Sequence, residues 1–329
     1  MRRRRQRLAR HELGGDAPME ATELTRIIKE IGRGKNAARD LNRDDAHALF
    51  AAMLAGDVPD LQLGAVLMAL RIKGESLQEL AGFLEACEAS YTHLTAPAGT
   101  APLVIPAYNG ARQLPNLTPL LALLVAREGV PVLVQGVTAD AGRVTTYEVL
   151  AAMGISAARS IAEAQAQLSE RRIAFISLDV LAPPLARVLA LRRKMGVRSS
   201  GHTLAKMLQP FSTPAVRLVS VTHPEYVVRM REFFTHHGTN AANALLLRGA
   251  EGEAVAHPRR EPVIDWLNGV QVETWSAGAA ENPSLPENRD AAVTAEWIHG
   301  ALAGKHPVPA AITHQVACCV KAARRVAGG

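Results

Sequence analysis

The chain has 329 residues, 48% of them hydrophobic and 21% charged, a balance that excludes a disordered polymer and predicts one large or two ordinary domains with substantial cores. The formal net charge is +6, yet residues 1–10 alone carry six arginines and no acid, so the remainder is neutral overall and a uniformly basic surface is excluded. Three cysteines cannot form a disulfide framework and show no zinc-type spacing, which predicts a reducing, cytoplasmic setting.

The opening MRRRRQRLARH lacks the apolar stretch of a secretory signal, and residues 1–20 read as a basic flexible tail. No apolar run reaches the roughly 18 residues that span a bilayer, so no membrane partner is predicted. From Ala21 to Ser90 the pattern is helical. LNRDDAHALFAAMLAG places Ala46, Leu49, Phe50, Met53 and Leu54 at helical spacing, with Gly56 as a stop. DLQLGAVLMALRIKG forms a second helix ending at Gly74, and SLQELAGFLEACEAS opens on Ser76 with Glu79 three residues later, a capping box. THLTAPAGTAP then reads as a connector, closing a helical domain over 21–95.

Beyond it, short apolar runs alternate with helices. PLVIP, VPVLVQ, IAFISL, AVRLVSV and ALLLRG read as buried strands, separated by amphipathic stretches such as LPNLTPLLALLVAREG. This grammar predicts a largely parallel sheet covered on both faces, in an α/β domain made of residues 96–182 and 211–329. Segment 183–210 breaks the alternation with two helices in succession, and this inserted pair is expected to return to the N-terminal helices, leaving a cleft between domains. From Asn288 the chain is again helical.

Two cationic clusters stand out. Residues 26–43 hold Arg26, Lys29, Arg33, Lys35, Arg39 and Arg43 against Glu30 and Asp40. Residues 187–198 hold Arg187, Arg192, Arg193, Lys194 and Arg198 with no acid. Such a cluster attracts polyanions by releasing their counterions, and equally it suits a plain solvated helix face. The pairs His236-His237 and Cys318-Cys319 are adjacent, so on a helix their side chains diverge by about 100° and read as structural. Trp266, Trp275 and Trp297 are scattered, which gives little basis for a base-stacking platform.

The order of longer segments resembles anthranilate phosphoribosyltransferase and its relatives. LNRDDAHALFAAMLAGDVPDLQLGAVLMALRIKGESLQELAG is similar to that family's N-terminal helical segment. PPLARVLALRRKMGVR resembles a later helix, and VRLVSVTHPEYVVRMREFFTHHG the strand–helix unit that follows. The resemblance implies a small all-helical domain joined to an α/β domain with a mainly parallel sheet, and a homodimer formed through the helical domain. It also implies three short motifs that this chain has altered. A GTGGD loop, whose glycines let backbone N–H groups approach a diphosphate, here reads Ala107-Tyr108-Asn109-Gly110-Ala111, with Arg112 following. KHGNRxxSS reads Val134-Gln135-Gly136-Val137-Thr138. The acidic magnesium motif reads Glu251-Gly252-Glu253-Ala254. Tyr108 reads as filling a vacated diphosphate site. Asn109 and Gly110 suit either a plain turn or, with Arg112, Gln135, Gly136 and Thr138, a degenerate anion site.

NGARQLPNLTPLLALL with GHTLAKML is closer to the YbiB-type, second TrpD-like branch. That resemblance implies a homodimer binding nucleic acid, DNA in the first instance, without base readout and without cofactor. The candidate contacts are Arg187, Arg192, Arg193, Lys194, Arg198 and Lys206 on the inserted helices, extended by Arg33, Lys35, Arg71 and Lys73. Arg192 and Arg198 also match arginines of the enzymes and so discriminate less. The alternative readings are a phosphoribosyltransferase-type enzyme with an altered substrate, for which alone magnesium is considered, and a structural or regulatory dimer.

Overall fold

The computed structural model describes residues 19–34, 36–236, 243–277 and 283–328. The arginine-rich residues 1–18, Lys35 and His237 therefore lie outside the described residues. The first four elements are helices: α1 (Ala21–Ile31), α2 (Arg43–Ala55), α3 (Asp60–Lys73) and α4 (Leu77–Glu88). Each follows from local chemistry. Leu24, Ile27 and Ile31 give α1 one buried stripe. The Asn42 side chain caps α2 by accepting from Asp45 N, and Gly56 ends it in the left-handed conformation. Ser76 and Glu79 form the capping box of α4. Helices α2 and α4 pack so closely at Gly82 that a Cβ there would lie 2.3 Å from the Arg43 carbonyl oxygen.

The chain then alternates through β1 (Leu103–Ala107), α5 (Thr118–Arg127), β2 (Val132–Gly136), α6 (Thr146–Ala152), β3 (Ala157–Ala158), α7 (Ile161–Arg171) and β4 (Ile173–Ser177). Four short helices follow one another: α8 (Leu178–Leu181), α9 (Pro183–Ala190), α10 (Arg192–Met195) and α11 (Ser200–Leu204). The remainder is β5 (Val216–Val221), α12 (Pro224–His236), β6 (Ala244–Arg248), β7 (Val263–Asn268), β8 (Gln271–Ser276), α13 (Ala291–Leu302) and α14 (Ala310–Ala327). The eight strands form one sheet ordered β3-β4-β2-β1-β5-β6-β7-β8, parallel from β3 to β6. Strands β7 and β8 join antiparallel and were not among the expected strands. Their signal was present: Asn268-Gly269 sits at the turn, and Gly269 takes a positive φ of 56°.

Why the inner strands are continuous apolar runs is visible in their partition. Leu103, Ile105, Val132 and Val134 belong to one core, with α5, α6, α13 and α14. Val104, Leu133, Ala174 and Ile176 belong to a second core shared with the N-terminal helices and residues 178–208. Both faces are covered, so neither can be polar. All three tryptophans lie in the first of these cores; Trp266 stacks on Trp275 at 6.2 Å, and Lys321 Nζ sits 4.1 Å from the Trp275 ring centre.

The helical domain is joined to the sheet by a buried ion pair. Arg217 on β5 is 1% exposed, its guanidinium lies 3.6 Å from the Glu88 carboxylate on α4, and it donates to the Met207 carbonyl at 3.1 Å. Glu88 also accepts from Gln209 N at 3.0 Å. Segment 183–210 holds three short helices, α9, α10 and α11, where a pair was expected, and it contacts the N-terminal helices. Arg187 on α9 donates to the Leu54 carbonyl of α2 at 2.7 Å, and Arg71 on α3 donates to the Arg198 carbonyl at 2.8 Å. Among the described residues, no helix is long and apolar enough to cross a membrane.

Candidate functional site

In a parallel sheet, loops leaving the carboxyl ends of the strands meet on one edge, where ligands generally bind. Here the loops after β1, β2 and β6 meet there, with residues 198–206 above them. The loop after β1 offers a row of backbone N–H groups, and carboxylates from the β6 loop take them. Glu253 accepts from Asn109 N at 2.8 Å and Gly110 N at 2.6 Å with one oxygen, and from the Thr146 hydroxyl at 2.9 Å with the other. Glu251 accepts from Arg112 N at 2.8 Å, Gln113 N at 3.0 Å and Leu114 N at 3.1 Å. Between them, Gly252 has φ of 89°, and the Asn109 amide nitrogen lies 2.2 Å from where a Cβ would stand, so only glycine fits.

Electrostatics follow from these contacts. Burial pushes the Glu253 carboxyl up, opposed by the Gly110 N–H, the Thr146 hydroxyl, the Asn109 N–H and nearby Lys206. Burial also works against the charged form of Glu251, but the N–H donors of Gln113, Arg112 and Leu114 outweigh it and hold its carboxyl below the usual range. Tyr108 packs against the core of the helical side, and its hydroxyl donates to Gln135, whose amide donates to the Ala205 carbonyl at 3.2 Å. Gly136 ends β2 against Ala107, and Thr138 is exposed. Tyr108, Asn109, Gly110 and Gln135 are thus engaged with one another or with the carboxylates, and Arg112 contributes its backbone.

Beside this cradle, Arg71, Arg198 and Lys206 line a cavity of about 350 Å³ with His202, His223 and Arg229. Arg198 is half-buried, and burial together with Arg192 and Arg143 weakens its hold on its proton. Burial and the neighbouring Arg198 and Arg192 pull His202 down to about 4, so it is neutral near pH 7. Lys206 donates to the Gly252 carbonyl at 3.1 Å, and burial brings it down to about 8, with Glu253 opposing and Arg198 and Arg143 reinforcing the shift. Arg143 and Arg229 were not singled out from sequence; each comes from a loop or helix remote from the two cationic clusters.

The other predicted cations divide. Arg193 and Lys194 are exposed on α10, and no acid among the described residues forms an ion pair with them. Arg192 lies 4.0 Å from Asp140. Lys73 does not join a track: its buried ammonium sits 2.5 Å from Asp40 and 2.6 Å from Glu79, so it neutralises the α4 capping box. Arg33 pairs with Glu30 at 2.8 Å on α1, and Arg187 is committed to α2. The continuous basic furrow expected between the domains therefore contracts to residues 192–206 with Arg71, Arg143 and Arg229.

The Lys206 environment gives a signed pH dependence. Between about pH 8 and the ordinary lysine value of 10.5, the unfolded chain holds this proton and the folded chain has lost it. Folding stability then rises with pH. Relative to Lys206→Met, the protein should gain up to about 3 kcal/mol across that window, measured by urea unfolding at both ends; a constant difference would refute the burial of a charged amine.

Two family models match the chain, the glycosyl transferase family helical bundle domain over residues 25–90 and the a/b domain of the same family over residues 110–274. The chain belongs to this glycosyl transferase family. It is 48% identical over 304 residues to the protein YbiB of Escherichia coli (strain K12), covering 91% of this chain and 94% of that one. It is 30% identical over 274 residues to an anthranilate phosphoribosyltransferase of Sphingopyxis alaskensis, covering 80% of each. Among solved structures, the anthranilate phosphoribosyltransferase of Thermus thermophilus superposes with a TM-score of 0.72 at 22% identity, over 93% of this chain and 89% of that one. The Saccharomyces cerevisiae enzyme in complex with PRPP and Mg gives 0.70 at 13% identity, over 89% and 85%. The helical bundle and the a/b domain of the glycosyl transferase family are thus both present.

Magnesium is the metal the transferase resemblance implies, and the residues here do not fit it. Both oxygens of Glu253 face donors, and Glu251 is spent on three N–H groups. Among the described residues no three His, Cys, Asp or Glu side chains gather as a metal-holding group.

Proposed function

We propose that this protein is a sequence-non-specific nucleic-acid binder, of DNA in the first instance, that works as a homodimer and has lost phosphoribosyl transfer. The observation that carries the reading is the exposed, acid-free pair Arg193 and Lys194 beside a cavity lined by Arg71, Arg198, Lys206 and Arg229. Cations with no acid partner bind phosphate by releasing condensed counterions, and this needs no base contact. The carboxylate-filled cradle weighs against the enzyme reading. Transfer from a diphosphate-bearing sugar depends on preorganised donors and metal worth several kcal/mol, and here those donors already serve Glu251 and Glu253. The dimer is supported by α3, which exposes Leu61 (87%), Met68 (37%) and Ile72 (60%) along one helical stripe.

The test is sedimentation velocity of the protein alone and with fluorescent DNA of two unrelated sequences, for the full chain and for a chain starting at Met19. A dimer is expected alone. If about six phosphates are contacted, affinity should fall on the order of 10³-fold between about 50 and 200 mM salt, equally for both sequences. Salt-independent binding, or binding that vanishes without residues 1–18, would overturn the assignment to the α10 cations and the cavity beside them.

A further inference from the structure

The 350 Å³ cavity differs in kind from the exposed cations Arg193 and Lys194 of α10. Its volume is at the lower end of small-molecule sites, roughly 300–1,000 Å³, and suits one nucleotide rather than a through-running duplex. Four cations line it, Arg71, Arg198, Lys206 and Arg229, against one carboxylate, Glu75, which accepts from the Ser200 hydroxyl at 2.5 Å. The Arg198 guanidinium makes no hydrogen bond or ion pair with the described residues, and its half-buried charge is opposed by Arg192 and Arg143 more than Asp140 favours it. An excess of three positive charges in so small a volume is compensated better by a dianion than by a monoanion.

That excess distinguishes a phosphomonoester from the phosphodiester of a chain interior. With a second ionisation near pH 6, the former carries close to two charges at pH 7, and the latter carries one. The rest of the cavity fits a nucleoside. Leu80 and Met230 give it apolar wall, and the exposed Tyr226 and His223 stand with ring centres 6.5 Å apart among the lining residues. Aromatic rings of this kind stack on bases without regard to sequence.

We propose that this cavity binds a nucleoside phosphomonoester, carried either on a strand terminus or as a free mononucleotide. In its strand-borne form the proposal rests on the nucleic-acid reading above, and Arg193 and Lys194 of α10 then hold the following phosphates. Lys206, Arg198 and Arg229 meet the terminal phosphate, and Tyr226 meets the base.

The experiment uses the full chain and 3′-labelled oligodeoxynucleotides of one sequence bearing a 5′-phosphate or a 5′-hydroxyl, with dAMP titrated separately by calorimetry. A strand-end site predicts about tenfold tighter binding of the phosphorylated strand, and Arg229→Gln should bring the affinity ratio of the two strands close to one. A free-nucleotide site predicts equal binding of the two strands together with dAMP binding that Arg229→Gln weakens at least about tenfold. Equal strand affinities with no dAMP binding would overturn the proposal. If neither strand binds at all, the nucleic-acid reading fails by itself, and the dAMP titration still decides the cavity.

Discussion

Reversing the charges of Arg193 and Lys194 together is expected to lower nucleic-acid affinity on the order of 100-fold at low salt, by the same factor for every sequence. Both side chains are exposed on α10 and lack acid partners among the described residues, so the substitution should cost the fold no more than the loss of cations from a helix C-terminus, about 1–2 kcal/mol. Each phosphate contact contributes about 0.9 to the slope of log affinity against log salt, and losing two should flatten that slope by about 2. The slope separates this mechanism from misfolding, which would lower the bound fraction without changing salt dependence. An unchanged slope with both charges reversed would move the interface elsewhere. Lys73→Met serves as the contrast: its ammonium is tied to Asp40 and Glu79, so its effect should appear in unfolding rather than in binding.

The second large effect concerns the junction of the two domains. Glu88→Ala should destabilise the protein by about 3–5 kcal/mol, because it removes a carboxylate from beside the fully buried Arg217. Replacing both members with apolar residues of similar volume, Glu88→Leu with Arg217→Met, should recover much of that loss, since the desolvation of two charges is then also removed. Urea unfolding of the single and double variants checks this, and additive losses would refute the pairing. The junction also matters for the site: Arg217 holds the Met207 carbonyl and Glu88 the Gln209 N–H, just beyond Lys206 in the segment that presents it.

How much of this was legible in the sequence depended on how local the cause was. The capping box of Ser76 and Glu79, the left-handed stop at Gly56 and the five apolar inner strands are decided within a few residues, and each was readable. The acid-free run at 187–198 was readable as composition. Its partition was not, because Arg187 is taken up by Leu54, 133 residues away. Lys73 looked like a free cation beside a turn, yet its partner Asp40 lies 33 residues earlier, across the bundle. The self-supplied anions of the cradle were hardest to foresee. Glu251 and Glu253 stood out as remnants of a metal motif, but the N–H groups they satisfy are 137 to 144 residues away in the chain. Strands β7 and β8 are a different kind of omission: the Asn268-Gly269 turn is a local signal, but neither VIDWLN nor QVETWS alternates apolar with polar residues.

The placement of the tryptophans has a practical consequence. Indole emission comes only from the core behind the sheet, with Trp275 lying between Trp266 and the Lys321 ammonium, whereas far-ultraviolet ellipticity is weighted towards every helix, including the four that precede β1. The indole signal therefore views one core, whereas ellipticity views the helices packed on both. If the junction between Arg217 and Glu88 is severed, thermal melting followed by the two should separate, and the helical half would lose order while the indoles still glow as in the intact protein.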